Sequence, residues 1–188
     1  MTSTLTVGAH PNLSGGPVSK KSILGIDPGI ANTGWAVVDE DYEVVRSGVI
    51  RTYSRWSTHR RIQVIHDAIL QVVESLEPVG VVCEGFTFRG GGRKEVGQFI
   101  RSAVSTGAAT GAAISACGDL DVDIVAAHAW RARIGVVAGR RKETREVRKE
   151  RARMAVEAIV GGLPPCPDHV VDAIGLALYA LVGTRALF

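Results

Sequence analysis

Two acidic residues sit where a soluble protein can least easily keep them. Asp27 ends the apolar run Ser22-Ile23-Leu24-Gly25-Ile26 and is followed at once by the turn-forming Pro28-Gly29. Glu84 ends a second apolar run, Val79-Gly80-Val81-Val82-Cys83. A carboxylate at the end of a buried strand is costly unless it is paired, protonated or bound to a cation. Asp27 alone also reads as a turn starter, a role that suits Asp. A third acidic element is Pro167-Asp168-His169-Val170-Val171-Asp172, which opens an apolar stretch running to Leu178. On a helix His169 and Asp172 are i,i+3 and Asp168 and Asp172 are i,i+4, so either pair can share a face. Asp168 after Pro167 equally suits a helix N-cap, and His169 can be a purely structural histidine. Three acids and an imidazole suit phosphodiester hydrolysis, because two Mg²⁺ about 4 Å apart can activate a water and stabilise the leaving oxygen.

The elements that must position these groups follow from periodicity. Ser22 to Asp27 reads as a buried strand, and Gly34 to Asp39 and Glu43 to Arg51 as two more, separated by the polar Glu40-Asp41 turn. Apolar residues Ile62, Ile65, Ile69, Val72 and Val73 recur at helical spacing between Trp56 and Leu76, and Pro78 closes that helix. Val79 to Glu84 then reads as a central parallel strand, and Gly85 to Arg93 as a glycine-rich loop. A small-residue helix, about Lys94 to Cys117, leads to a strand near Val122 to Ala126, a basic region, and a last helix from about Asp168 to Val182. That order fits an α/β fold of the ribonuclease H-like type, with a mixed five-stranded sheet flanked by helices.

The 188 residues suit one domain, expected over 21–188 after a flexible tail at 1–20 rich in Thr, Ser, Gly and Pro. A hydrophobic share of 46% and a charged share of 22% belong to a globular chain. No apolar stretch reaches the roughly 20 residues of a spanning helix, so no membrane partner and a cytoplasmic location are expected. Cys83, Cys117 and Cys166 are odd in number and far apart, which disfavours a disulfide framework. The net charge is only +3, yet Arg131 to Arg153 holds ten Lys or Arg against three Glu. Such an excess is a candidate nucleic-acid face, or else a solvated helix laced by ion pairs.

Ile23-Leu24-Gly25-Ile26-Asp27-Pro28-Gly29-Ile30-Ala31-Asn32-Thr33-Gly34-Trp35-Ala36-Val37 closely resembles the first motif of RuvC-type Holliday-junction resolvases. The resemblance continues at Val81-Val82-Cys83-Glu84-Gly85-Phe86 and at His169 to Ala177, and covers about Ile23 to Val182. It implies that Asp27, Glu84, His169 and Asp172 are the metal-binding catalytic set, His169 standing where the family has Asp or His. It also implies a ribonuclease H-like fold, two Mg²⁺ per site with Mn²⁺ as a substitute, a homodimer, and paired nicks across a four-way DNA junction. Arg131 and Lys142 lie near positions where the family places DNA-contacting cations, and Arg140, Arg141, Arg145 and Arg148 would extend that surface by phosphate contacts that position without reading sequence.

Departures from the bacterial pattern gather at the junction-facing loop, Gly85-Phe86-Thr87-Phe88-Arg89 before three glycines. Phe86 or Phe88 can stack on an unpaired base, or one of the alternating pair can face the core, while Arg89 adds a cation. That loop, the basic segment and the tail look more like a phage-borne relative than a cellular copy. Gly107-Ala108-Ala109-Thr110-Gly111 lets a second helix approach closely, as part of a dimer contact, or packs on the chain's own sheet. The Gly-Ile-Asp start is also similar to actin-like ATPases and sugar kinases, but a second phosphate-binding repeat is missing. A broader flap and fork nuclease of the same fold and a non-catalytic junction-binding protein are the remaining alternatives. Whether a helicase partner exists is not legible.

Overall fold

A computed structural model of the chain describes residues 20–86, 96–136 and 143–184. Strand β1 (Ser22–Asp27) has the expected bounds, and β2 (Asn32–Asp39) begins two residues before Gly34. Strand β3 (Val44–Arg51) follows the tight turn at Tyr42, whose φ is 67°. Helix α1 (Thr58–Leu76) is capped by the Ser57 hydroxyl, which accepts from the Arg60 N–H. Strand β4 (Gly80–Gly85), helix α2 (Val96–Ser115) and strand β5 (Val122–Ala126) come next. The basic region, read from the sequence as a nucleic-acid face or a solvated helix, contains two helices, α3 (Ala127–Arg133) and α4 (Arg145–Val160). Helix α5 (Asp168–Thr184) ends the described chain.

The sheet runs β3-β2-β1-β4-β5, with β1, β2 and β3 antiparallel and β1, β4 and β5 parallel. This is the ribonuclease H-like layer order expected from the sequence. Because side chains alternate along a strand, each strand supplies both layers. Leu24, Ile26, Trp35, Val37, Val81 and Cys83 pack with Ile65 and Ile69 of α1 and Ala109 and Ala113 of α2. Ala36, Val38 and Val82 face the other way, toward Trp130 of α3, Val156 of α4 and Ala173, Ile174 and Leu178 of α5. The same alternation puts Asp27 in phase with Gly25, and Glu84 in phase with Val82. Both acids therefore point to the α5 side.

Two glycines bring α5 onto the bare sheet. A Cβ at Gly25 would lie 1.9 Å from the Ala173 carbonyl oxygen, and one at Gly34 would lie 2.0 Å from that of His169. Side chains at those points would force helix and sheet apart. Gly25→Ala should therefore cost about 1–3 kcal/mol of stability by overpacking, read as a lowered urea midpoint, and should weaken DNA cutting because His169 would move with the helix.

Cys83 and Cys117 are buried and all three cysteines are free thiols. Among the described residues no helix is long and apolar enough to cross a membrane.

Candidate active site

The parallel register sets Ile26 opposite Cys83, so the next rung puts Asp27 beside Glu84 at the strand ends. Neighbouring strands lie about 4.8 Å apart, which brings the two carboxylates to one rim. Asp27, Glu84, Phe86, His128, Arg131 and Arg148 line a cavity of about 280 Å³ there. His169 of α5 meets Asp27, its Nδ1 2.6 Å from a carboxylate oxygen. Asp172, one helical turn on, accepts from the Arg131 guanidinium at 3.2 Å. Asp27 and Glu84 thus line the cavity directly, and His169 and Asp172 are joined to it through Asp27 and Arg131.

The electrostatics show negative charge crowded beyond what the protein itself neutralises. Burial pushes the Glu84 carboxyl up to about 7, and the charges of Asp27 and Asp172 add to the effect. It is opposed by the Trp130 indole N–H, donated to Glu84 at 2.9 Å, and by Arg131. Burial likewise raises Asp172, with Asp27 adding to it and Arg131 opposing. The hydrogen bond to Asp27 raises the His169 imidazole above its ordinary range. Mutually repelling carboxylates and an imidazole are the donor set of a hard divalent cation. Among the described residues, however, no three such side chains already converge as a ready-made ion site. Each is held by a protein donor or by another of the set, so the residues fit a cation in type and place and would turn toward it on binding.

Asp168 does not join this set. It is the first residue of α5 where a cap was expected, its negative charge suits that helix end, and its carboxylate pairs with Lys149. His169 and Asp172 instead bond to Asp27 and Arg131, which line the cavity. Of the predicted DNA-facing residues, Phe86 is 45% exposed at the cavity mouth, and Arg131 and Arg148 line the cavity. Arg145 lies instead in a separate cleft with Lys149 and Asp168. Phe88, Arg89, Arg140, Arg141 and Lys142 lie outside the described residues. The basic excess is partly answered by ion pairs, Arg151 to Glu143 at 2.5 Å and Arg153 to Glu157 at 3.7 Å.

Trp130 and His128 are site residues that sequence reasoning missed. Trp130 is fully buried, supports Glu84 through its N–H, and stacks under the Arg131 guanidinium 4.6 Å from its ring centroid. Its packing needs a bare Gly175, where a Cβ would meet the indole at 2.4 Å. A tryptophan amid charged residues was the available signal, because such a ring seeks both a core and a polar partner.

Comparisons with known proteins agree with this geometry. Residues 23–180 match the family described as "Crossover junction endodeoxyribonuclease RuvC". A relative of that name from Thermomicrobium roseum is 28% identical over 169 residues, covering 87% of this chain and 94% of its own. Another from Rubrobacter xylanophilus is 26% identical, covering 87% and 86%. The solved structure of T. thermophilus RuvC in complex with Holliday junction substrate superposes with a TM-score of 0.72 at 23% identity, covering 88% of this chain and 96% of that one. At such identity the likeness shows the fold. The yeast mitochondrial Holliday junction resolvase Ydc2 shares it more loosely, with a TM-score of 0.52 at 11% identity over 92% of this chain and 84% of that one.

Proposed function

The chain belongs to the RuvC family of crossover junction endodeoxyribonucleases, and from that premise we propose that Asp27, Glu84, His169 and Asp172 are its catalytic, metal-binding set. It resolves four-way DNA junctions, the substrate with which its structural relative was solved, by metal-dependent nicks. The observation that carries the assignment is that Asp27 and Glu84 line one cavity, with His169 bonded to Asp27 and Asp172 bonded to Arg131 of the same lining.

A divalent metal is required, and two Mg²⁺, or Mn²⁺ in their place, suit three carboxylates and one imidazole. Bound there, such ions supply an activated water and charge stabilisation on the leaving oxygen. The protein's own part is to hold the phosphate and keep the acids in place. Arg131 and Arg148 offer cations to the scissile phosphate, and Arg131 also balances Asp172 between turnovers. Trp130 fixes the Glu84 rotamer through its N–H. Phe86, exposed at the mouth, can stack on a base splayed out of the junction.

Paired nicks call for two such sites, and α2 offers the surface for a homodimer. One face of α2 is buried through Ala109, Ala112, Ala113 and Ala116, while Ile100 and Val104 are 53% and 67% exposed on the other. Gly107 and Gly111 beside them meet no atom within 4 Å of an added Cβ, leaving room for a partner backbone. Val104→Arg should yield a monomer by light scattering and convert coordinated paired nicks into uncoordinated single ones. A dimer that survives the change would move the interface elsewhere.

The test of the function is cleavage of a labelled synthetic four-way junction beside a flap, a fork and a linear duplex, with Mg²⁺ and with EDTA. Symmetric paired nicks confined to the junction, and lost in EDTA, are expected. Equal cutting of flaps and forks would make the chain a general branched-DNA nuclease, and binding without cutting would leave a junction-binding protein.

A further inference from the structure

We infer that the turn joining β3 to α1 is a second phosphate-binding surface, which grips the backbone of a DNA arm beside the cleavage cavity. The inference rests on the nuclease reading for its substrate, though not for its test. Between Glu43 and Asp67 the chain has five arginines, Arg46, Arg51, Arg55, Arg60 and Arg61, and no acidic residue. None of the five makes an ion pair with an acid among the described residues. Four of them, from Arg51 to Arg61, crowd the turn and the first turn of α1, where no acid offsets the positive helix end. Like charges so placed repel one another, and an anion relieves that cost.

The turn also has a built arrangement. Tyr53 and Trp56 meet edge to face with centroids 4.9 Å apart, although Tyr53 is 51% exposed. The Arg55 guanidinium lies over the Tyr53 ring at 4.9 Å, and that of Arg60 over the Trp56 ring at 4.5 Å. A guanidinium resting on an aromatic face is oriented in advance and keeps its N–H edges for a phosphate. An exposed Tyr53 beside a half-buried Trp56 is poorly explained by core packing alone, but the pair is well explained as stands for two arginines.

The turn is tied to the catalytic rim. Thr52 donates its backbone N–H to Ala31 at 3.0 Å and its hydroxyl to the Ile30 carbonyl, and it accepts from the Arg61 side chain at 2.8 Å. Ile30 is three residues from Asp27, so at most about 11 Å of chain separates them. Phosphates on one strand of a duplex recur about every 3.4 Å of rise, which puts this turn a few phosphates from the cutting point. In the sheet order the turn lies on the β3 side of Asp27, while Arg131 and Arg148 line the cavity with Asp27 and Glu84. A strand entering the cavity from the β3 side would meet the cations of this turn as well as those of the cavity.

The test uses the full chain, a labelled four-way junction and a linear duplex, bound in EDTA across a KCl series. Because each neutralised phosphate contributes about 0.9 to the slope of log affinity against log salt, the double variant Arg55→Ala/Arg60→Ala should lower that slope by about two. Its thermal midpoint, and its single-turnover cutting rate at saturating protein with Mg²⁺, should match the wild type. Trp56→Leu keeps every charge, so it should weaken binding several-fold while leaving the slope in place. An unchanged slope in the arginine double variant would overturn the inference, whatever its cutting activity. Wild-type protein that binds with a slope lowered by the substitutions, yet never cuts, would sink the nuclease reading and support this surface.

Discussion

Replacing Glu84 by Gln should reduce metal-dependent cutting of a four-way junction by about 10³ or more, while making the metal-free protein more stable at pH 8. The loss follows from removing one carboxylate of a set whose cations are worth several kcal/mol of transition-state stabilisation, each 1.36 kcal/mol being tenfold in rate. The gain follows from the crowding of the site. Burial, with Asp27 and Asp172 nearby, holds the Glu84 carboxyl up at about 7 where its ordinary value is 4.5. The folded protein therefore keeps a proton that the unfolded chain gives up. Stability tied to this group is complete below pH 4.5, falls as pH rises toward 7, and is lost above that. The difference in pKa corresponds to about 3 kcal/mol as an upper figure. Gln carries no charge and can still accept from the Trp130 N–H, so the variant should recover about 1–3 kcal/mol at pH 8 and flatten the pH dependence. Urea unfolding in EDTA at pH 5 and pH 8 measures both. A variant less stable than wild type at pH 8 would mean that Glu84 holds the fold instead of straining it.

That trade is legible in the sequence only in part. The run Ser22 to Asp27 ends in Pro28-Gly29, so both the strand and the emerging acid could be read, and Glu84 followed by the same logic. His169 and Asp172 were identifiable as a pair, but their partners were not, since Asp27 and Arg131 are distant in sequence and only the packing of α5 and α3 brings them near. The signal for that packing was present in Gly25 and Gly34, which read as ordinary strand glycines until the helix backbone is seen against them. The bounds of α3 and α4, and their separation into two helices, were hidden for a different reason. Ten cations between Arg131 and Arg153 blur an apolar period carried by so few buried residues, Trp130, Ala152 and Val156. The aromatic pair Tyr53 and Trp56 drew no notice because neither periodicity nor charge marks a stacked turn.

The second large effect concerns protons and metal together. At pH 6 the metal-free site should carry protons on both Glu84, raised to about 7, and His169, raised by its hydrogen bond to Asp27. A cation bound by these groups must displace both, so its apparent affinity should rise about tenfold per pH unit for each group still protonated and level off once both protons are lost. Stability of the metal-free fold runs the other way. The His169 to Asp27 pair stabilises most below the ordinary imidazole value of 6.5, and that contribution is lost as pH rises through the higher folded value. Rising pH thus loosens the empty site and tightens the loaded one, which would confine strong cutting at low Mg²⁺ to the alkaline side of neutrality. His169→Asp should keep a metal ligand while removing the imidazole proton, lowering the pH slope of metal affinity by about one power of ten per unit over the range in which the imidazole is protonated. Titration calorimetry of Mg²⁺ or Mn²⁺ in two buffers of different ionisation enthalpy counts the released protons directly. If wild type and His169→Asp release the same number at pH 6.5, the imidazole stays on Asp27 and is not a ligand, and the metal is held by Asp27, Glu84 and Asp172 alone.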